Sequence, residues 1–166
     1  MAARMQGPHI GPSLEKCWTD LSQTSYRLGD VVEGQNGKAY RFVQFVDAVA
    51  YVAGHLVCLD SAAADDWKVS NDTSGNMAGN HPVGIVFQTV VPTENQYGFV
   101  QIAGESAVCL IGSASVIAGD YLKDDGTTDG AMDEATAGTD ENICAIALET
   151  IADTASGRVM LRGMRY

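Results

Sequence analysis

The residues best placed to do chemistry are acidic. Asp124-Asp125-Gly126-Thr127-Thr128-Asp129-Gly130 has the opening of a calcium loop: with Asp125 as first ligand, Thr127 falls third, Asp129 fifth and Gly130 sixth. The twelfth place, where such a loop supplies a bidentate glutamate, is Thr136. A loop lacking its strongest ligand is expected to be solvated rather than metal-bound. His9, His55 and His81 stand far apart, with no partner at the spacing that puts two imidazoles on one metal. Cys17, Cys58, Cys109 and Cys144 form no CxxC pair, and three of them sit in apolar strand patterns that suit buried, reduced thiols. Asp65-Asp66 and Asp133-Glu134 are paired carboxylates on polar stretches, and acid–base work would need a cleft to hold them. There is no nucleophile-elbow serine, phosphate-binding loop or dinucleotide fingerprint. No catalysis, no metal and no cofactor is therefore expected.

Binding chemistry is the remaining option. Residues 1–13 carry Gly7, Pro8, Gly11 and Pro12 and read as an extended arm. Leu14, Trp18 and Leu21 follow at roughly helical spacing, in a segment that is either a short helix or an extended docking strip. Little before Leu28 looks able to form a core. The expected organisation is an arm over 1–27 and a β-rich body over 28–166. Pro8, Pro12, Leu14, Trp18 and Leu21 are the candidate partner-binding residues; Trp18, a lone tryptophan with little core of its own around it, either anchors that contact or folds back onto its own barrel. On this reading a chain starting near Tyr26 stays folded.

The elements that would carry any site come from a repeat. Val83 to Gly104 aligns with Cys144 to Gly163: Ile85 meets Ile146, Thr89 meets Thr150, Gly98 meets Gly157, Val100 meets Val159 and Gly104 meets Gly163. Val52-Ala-Gly-His-Leu-Val57 aligns in turn with Ile117-Ala-Gly-Asp-Tyr-Leu122. Apolar residues alternate with others along Val83–Gln88 and Arg158–Arg162, the period of a half-buried antiparallel strand. Asn36-Gly37 marks a hairpin turn, and Ala39 to Val46 reads as a strand apolar on both faces. Trp67-Lys-Val69 suggests another strand in a long polar connection. The fold class expected is all-β: a compact barrel or sandwich built from two pseudo-repeated strand–hairpin units, about 40–104 and 105–163.

The composition fits one domain with a substantial core: 166 residues, 46% hydrophobic, 19% charged and 18 glycines. No apolar run is long enough for a membrane helix, and MAARMQGPHIGPS has no apolar leader pattern. Net charge is −11. Residues 1–45 hold Arg4, Lys16, Arg27, Lys38 and Arg41 against Glu15, Asp20, Asp30 and Glu33, so the acidic excess lies wholly in the remainder. An acidic body repels phosphate backbones, which argues against a nucleic-acid partner.

Leu28-Gly-Asp30, Gly37-Lys-Ala-Tyr-Arg-Phe-Val-Gln44 and the Ala53-Gly54 turn resemble the opening of the tailed-bacteriophage head decoration, or cement, proteins. Val83-Gly-Ile-Val86, Tyr97-Gly-Phe-Val-Gln-Ile-Ala-Gly104 and Arg158-Val-Met-Leu-Arg162 look like the rest of that pattern. The resemblance covers residues 28–165. It implies a β-rich virion structural protein without catalysis or cofactor, made in the host cytoplasm. It further implies binding to the major capsid protein on the capsid exterior, often as a homotrimer, stabilising the head against internal DNA pressure. The alternative expectation is a carbohydrate- or host-surface-binding β-module of the virion, which would need exposed aromatics around a shallow groove.

Overall fold

The structure, a computed structural model, describes residues 12–47, 50–60, 66–72, 81–87, 92–136 and 142–164. Two 3₁₀ turns, Pro12–Glu15 and Leu21–Gln23, precede ten strands. These are β1 Val31–Glu33, β2 Ala39–Phe45, β3 Leu56–Leu59, β4 Lys68–Ser70 and β5 Pro82–Ile85. There follow β6 Tyr97–Ser106, β7 Tyr121–Asp124, β8 Met132–Glu134, β9 Ala145–Ala147 and β10 Val159–Arg162. The fold is all-β.

The strands close into two rings. In the first, β2 lies parallel to β4, β4 pairs with β3, β3 with β5, β5 with β6, and β6 returns to β2. This is a closed five-stranded barrel, which leaves none of its own strands an open edge. The second ring repeats the connectivity. Ile111 makes a parallel bridge to Met132 of β8, β8 pairs with β7, β7 with β9, and β9 with β10. Leu110 closes it by an antiparallel bridge to Ser156, just ahead of β10. Each pairing of the first ring thus has its counterpart in the second.

Backbone details recur with it. Gly54 and Gly119 share φ values of 100° and 99°, and their amides donate to Val86 and Ala147 at 2.7 and 2.9 Å. Asn95 and Thr154 take left-handed φ of 63° and 56° in the turns that lead into β6 and β10. Gly104 and Gly163 match at 85° and 80°. L-residues reach that region only under strain, so the repeated glycines mark where the chain must turn. The rings join where Ala103–Ser106 of β6 pairs with Val159–Arg162 of β10. Gly104 sits at this junction. A Cβ there would meet the carbonyl oxygen of Gly37 and the Cα of Lys38, each at 2.9 Å.

One apolar core runs through both rings, from Val43, Phe45, Leu56 and Val100 to Ile111, Leu122, Ala145, Val159 and Leu161. A second cluster of Trp18, Tyr40, Phe42 and Phe99 lies apart from it. Alternation along β2 explains the division, since successive side chains take opposite faces. Val43 and Phe45 fill the barrel, while Tyr40 and Phe42 point to its outside.

That outer face is covered by the segment expected to be an arm. Trp18 and Tyr97 exchange backbone hydrogen bonds at 2.9 and 2.8 Å, adding an isolated bridge to β6. The Trp18 side chain is 4% exposed, with ring centroids 5.5 Å from Phe42 and 6.2 Å from both Phe99 and Tyr26. Tyr26 stands edge-on to Phe99 at 4.9 Å, and Leu14 and Leu28 pack on the cluster. Residues 14–27 are therefore a strap on the body, and a boundary at residue 28 divides a packed unit. The physical reason is the outward apolar face shared by Phe42 of β2 and its cross-strand partner Phe99 of β6, which would lie in water unless something covered it.

Candidate functional site

The structure separates the five candidate partner-binding residues. Pro8 lies outside the described residues. Pro12 opens the first 3₁₀ turn. Leu14 packs against the aromatic cluster. Trp18 is buried against Tyr40, Phe42 and Phe99 of its own barrel, the second of its two expected places, and is not an exposed anchor. Leu21 opens the second 3₁₀ turn and is 38% exposed, with Asp20 capping that turn through Ser22 N at 2.8 Å. The strap thus presents Leu21 outward from a foundation made by Trp18.

The acidic loop is a tight connection between β7 and β8. Asp125 N donates to Ala131 O at 3.1 Å, and Gly126 and Gly130 take φ of 71° and 70°. Hydroxyls occupy its carboxylates: Thr127 donates to Asp125 at 2.9 Å, and Ser113 stands 3.1 Å from Asp125 and 3.0 Å from Asp133. Among the described residues no three His, Cys, Asp or Glu side chains gather as a metal site. His81 is exposed at the entrance to β5, away from His55, and His9 and Asp65 lie outside the described residues.

A polar knot braces the barrel beyond the C-terminal end of β2. Asp47 accepts from the Ser70 hydroxyl and, at 2.8 Å, from Asn71 N, while the buried Tyr51 hydroxyl donates to Val69 O at 3.0 Å. Asn71 reaches His55 Nδ1 at 3.0 Å. Burial holds the His55 imidazole below its usual pKa, with Asp129 acting in the opposite direction. The knot ties the ends of β2 and β4 to the turn before β3.

The cysteines are free, with Cys58, Cys109 and Cys144 buried and Cys17 half-buried. Loss of hydration pushes the Cys17 thiol up to about 11 and that of Cys144 to about 12, and it raises Cys58 and Cys109 as well. Thiolate is the reactive form. In the native protein at pH 8 an Ellman titration should therefore find almost no reactive thiol, and denaturant should release all four. Each folded value lies above the ordinary 9.0, so this contribution to stability is complete below pH 9 and declines as pH rises through the folded values. Rapid labelling of native protein at pH 8 would contradict the packing described.

Two surface features went unread in the sequence. A shallow groove of about 430 Å³ lies between Asn36–Lys38 of the β1–β2 hairpin, Gly104, Glu105 and Ala107 at the end of β6, and Met160 of β10. Beside it, Tyr121, Ile146 and Met160 are direct cross-strand partners on β7, β9 and β10 and so share one face. Tyr121 and Met160 are 40% and 38% exposed. Arg162 lies with its guanidinium 5.5 Å from the Tyr121 ring centre, and Arg158 pairs with Glu105 at 2.9 Å. The alternation Val159, Met160, Leu161, Arg162 carries the signal for an outward Met160, with Leu161 turned into the core.

No protein-family model matches the chain, and no curated protein matches it. Among solved structures it is similar to the head fiber gp8.5 N base of bacteriophage phi29. The TM-score is 0.50 at 12% identity, over 78% of this chain and 98% of that one. That likeness is one of fold.

Proposed function

We propose that this chain is a structural protein of a tailed-phage head, bound to the capsid exterior as a decoration protein. The observation that carries the reading is the agreement of two independent likenesses. Short motifs along residues 28–165 resemble head decoration proteins, and the fold matches almost the whole of a phage head fiber base. The partner is the major capsid protein, the working unit is a homotrimer, and the task is mechanical: bridging capsid subunits against the pressure of packaged DNA. No catalysis and no cofactor belong to it. Several weak contacts per assembly suffice, because linked sites gain roughly 10² to 10⁴ in avidity. An acidic exterior that repels DNA suits the location. No helix among the described residues is long and apolar enough to cross a membrane.

The carbohydrate-binding alternative has less support, since Trp18, Tyr40, Phe42, Phe45, Tyr51 and Phe99 are all buried. On the proposed reading the capsid contact runs through the outward side of the strap, at Leu21. Purified protein mixed with undecorated heads should cosediment to a fixed stoichiometry. Leu21→Asp should cut occupancy while leaving the circular dichroism spectrum unchanged, and Val52→Asp, at another exposed apolar residue, should not. Failure of the wild-type protein to cosediment would sink the proposal.

A further inference from the structure

The two rings are alike in their pairings and unlike in their surroundings. In the first, Leu56, Ile85 and Gln101 are cross-strand partners in a row. The repeat places Tyr121, Ile146 and Met160 at the same three positions of the second. The first row is sealed, with Leu56 and Ile85 at 0% and Gln101 at 2% exposure. The chain leading into the second ring lies against it. Leu110 N donates to Gly54 O at 3.0 Å, Leu56 N donates to Gly130 O at 2.7 Å, and the Gln101 amide donates to Glu105 O at 2.9 Å. A Cβ on Gly54 would meet Leu110 N at 3.4 Å, whereas one on the equivalent Gly119 would meet nothing within 4 Å. Ile117, next to that turn, is 62% exposed. Among the described residues, the second ring therefore carries the same kind of face without its cover.

We propose that the Tyr121–Ile146–Met160 row is a self-association surface, and that its occupant is the β1 edge of a second copy of this chain. The complementarity is both apolar and electrostatic. β1 stands at one end of the strand order, hydrogen-bonded to β2 alone among the named strands. It presents Val31 at 51% exposure, with Asp30 and Glu33 also exposed and Arg27 nearby in sequence. The row lies near the other end of the strand order, with the Arg162 guanidinium over the Tyr121 ring, in a chain of net charge −11. Val31 supplies the apolar partner, and Glu33 the charge for Arg162. The two surfaces differ, so the contact is head-to-tail, and repeating it closes a ring or extends a filament. It rests on the homotrimer proposed above and gives it a specific interface; its test needs no heads, so self-association and head attachment fail separately.

The test is the solution mass of the purified full chain by light scattering and sedimentation. The wild type should be an oligomer. Met160→Asp should weaken association by about tenfold or more, with the circular dichroism spectrum and melting temperature kept. Arg162→Glu should do the same, and adding Glu33→Arg to it should restore the wild-type mass. A monomeric wild type would overturn the inference. So would an unchanged mass in Met160→Asp and Arg162→Glu, or a charge swap that fails to restore association. A monomer whose Met160→Asp variant loses head binding would assign the row to the capsid instead.

Discussion

Replacing Trp18 by alanine is expected to lower the free energy of unfolding by about 3–5 kcal/mol, the usual cost of truncating a buried aromatic. The residue is 4% exposed and touches three other rings. Its removal leaves a cavity against Phe42 and Phe99 that the barrel strands beneath cannot collapse to fill. Trp18→Phe, which keeps most of the apolar volume, should cost markedly less. A chain starting at Tyr26 should fare worse than the point variant, because it also loses the paired backbone bonds to Tyr97 and the packing of Leu14. Such a chain should aggregate or melt early, with exposed apolar surface detectable by dye binding. Urea melts of the three variants read all of this directly. A stable, β-rich protein starting at Tyr26 would show that the strap is an accessory.

Gly104→Ala and Gly163→Ala form the second test, and the difference between them is informative. Both glycines take a left-handed φ, 85° and 80°, so an alanine costs about 1–2 kcal/mol of backbone strain at either place. At Gly163 nothing lies within 4 Å of the added methyl, and strain should be the whole effect. At Gly104 the methyl meets backbone of Gly37 and Lys38 at 2.9 Å, and a main chain cannot step aside as a side-chain tip can. The β1–β2 hairpin must shift away from the ring junction. Gly104→Ala should therefore be the more destabilising by about 1–3 kcal/mol, the range for overpacking. Equal losses at the two sites would mean that the junction is looser than described.

The sequence alignment of Val83–Gly104 with Cys144–Gly163 corresponds, strand for strand, to β5–β6 and β9–β10. Alternation and turn glycines are local signals, and they made the all-β class legible. Ring closure was not legible, because the parallel contact of β2 with β4 joins distant segments and leaves no local pattern. The strap is only half legible for a related reason. Its own sequence, with Gly and Pro followed by a few spaced apolar residues, looks like an unpacked arm. The missing half of the signal lies in β2, where Tyr40 and Phe42 stand opposite Val43 and Phe45. A strand apolar on both faces needs two covers, and only one is the barrel interior. Leu14, Trp18 and Tyr26 supply the other. The exposed row on β7, β9 and β10 was invisible for the converse reason: Tyr121, Ile146 and Met160 are ordinary strand residues by type. Alternation along β10 turns Met160 outward, but comparison of the two rings is what marks the whole row, since its counterparts Leu56, Ile85 and Gln101 are sealed.

Attachment to the outside of a phage head is tested most directly by cryo-electron microscopy of purified virions. Reconstructions should show density into which the two-ring body fits, on the outer capsid surface between capsomers, with the strap side toward the major capsid protein. Particles made without this chain should lack that density and rupture more readily under osmotic or thermal stress. Identical reconstructions with and without the chain, or density confined to the tail or the capsid interior, would contradict the account.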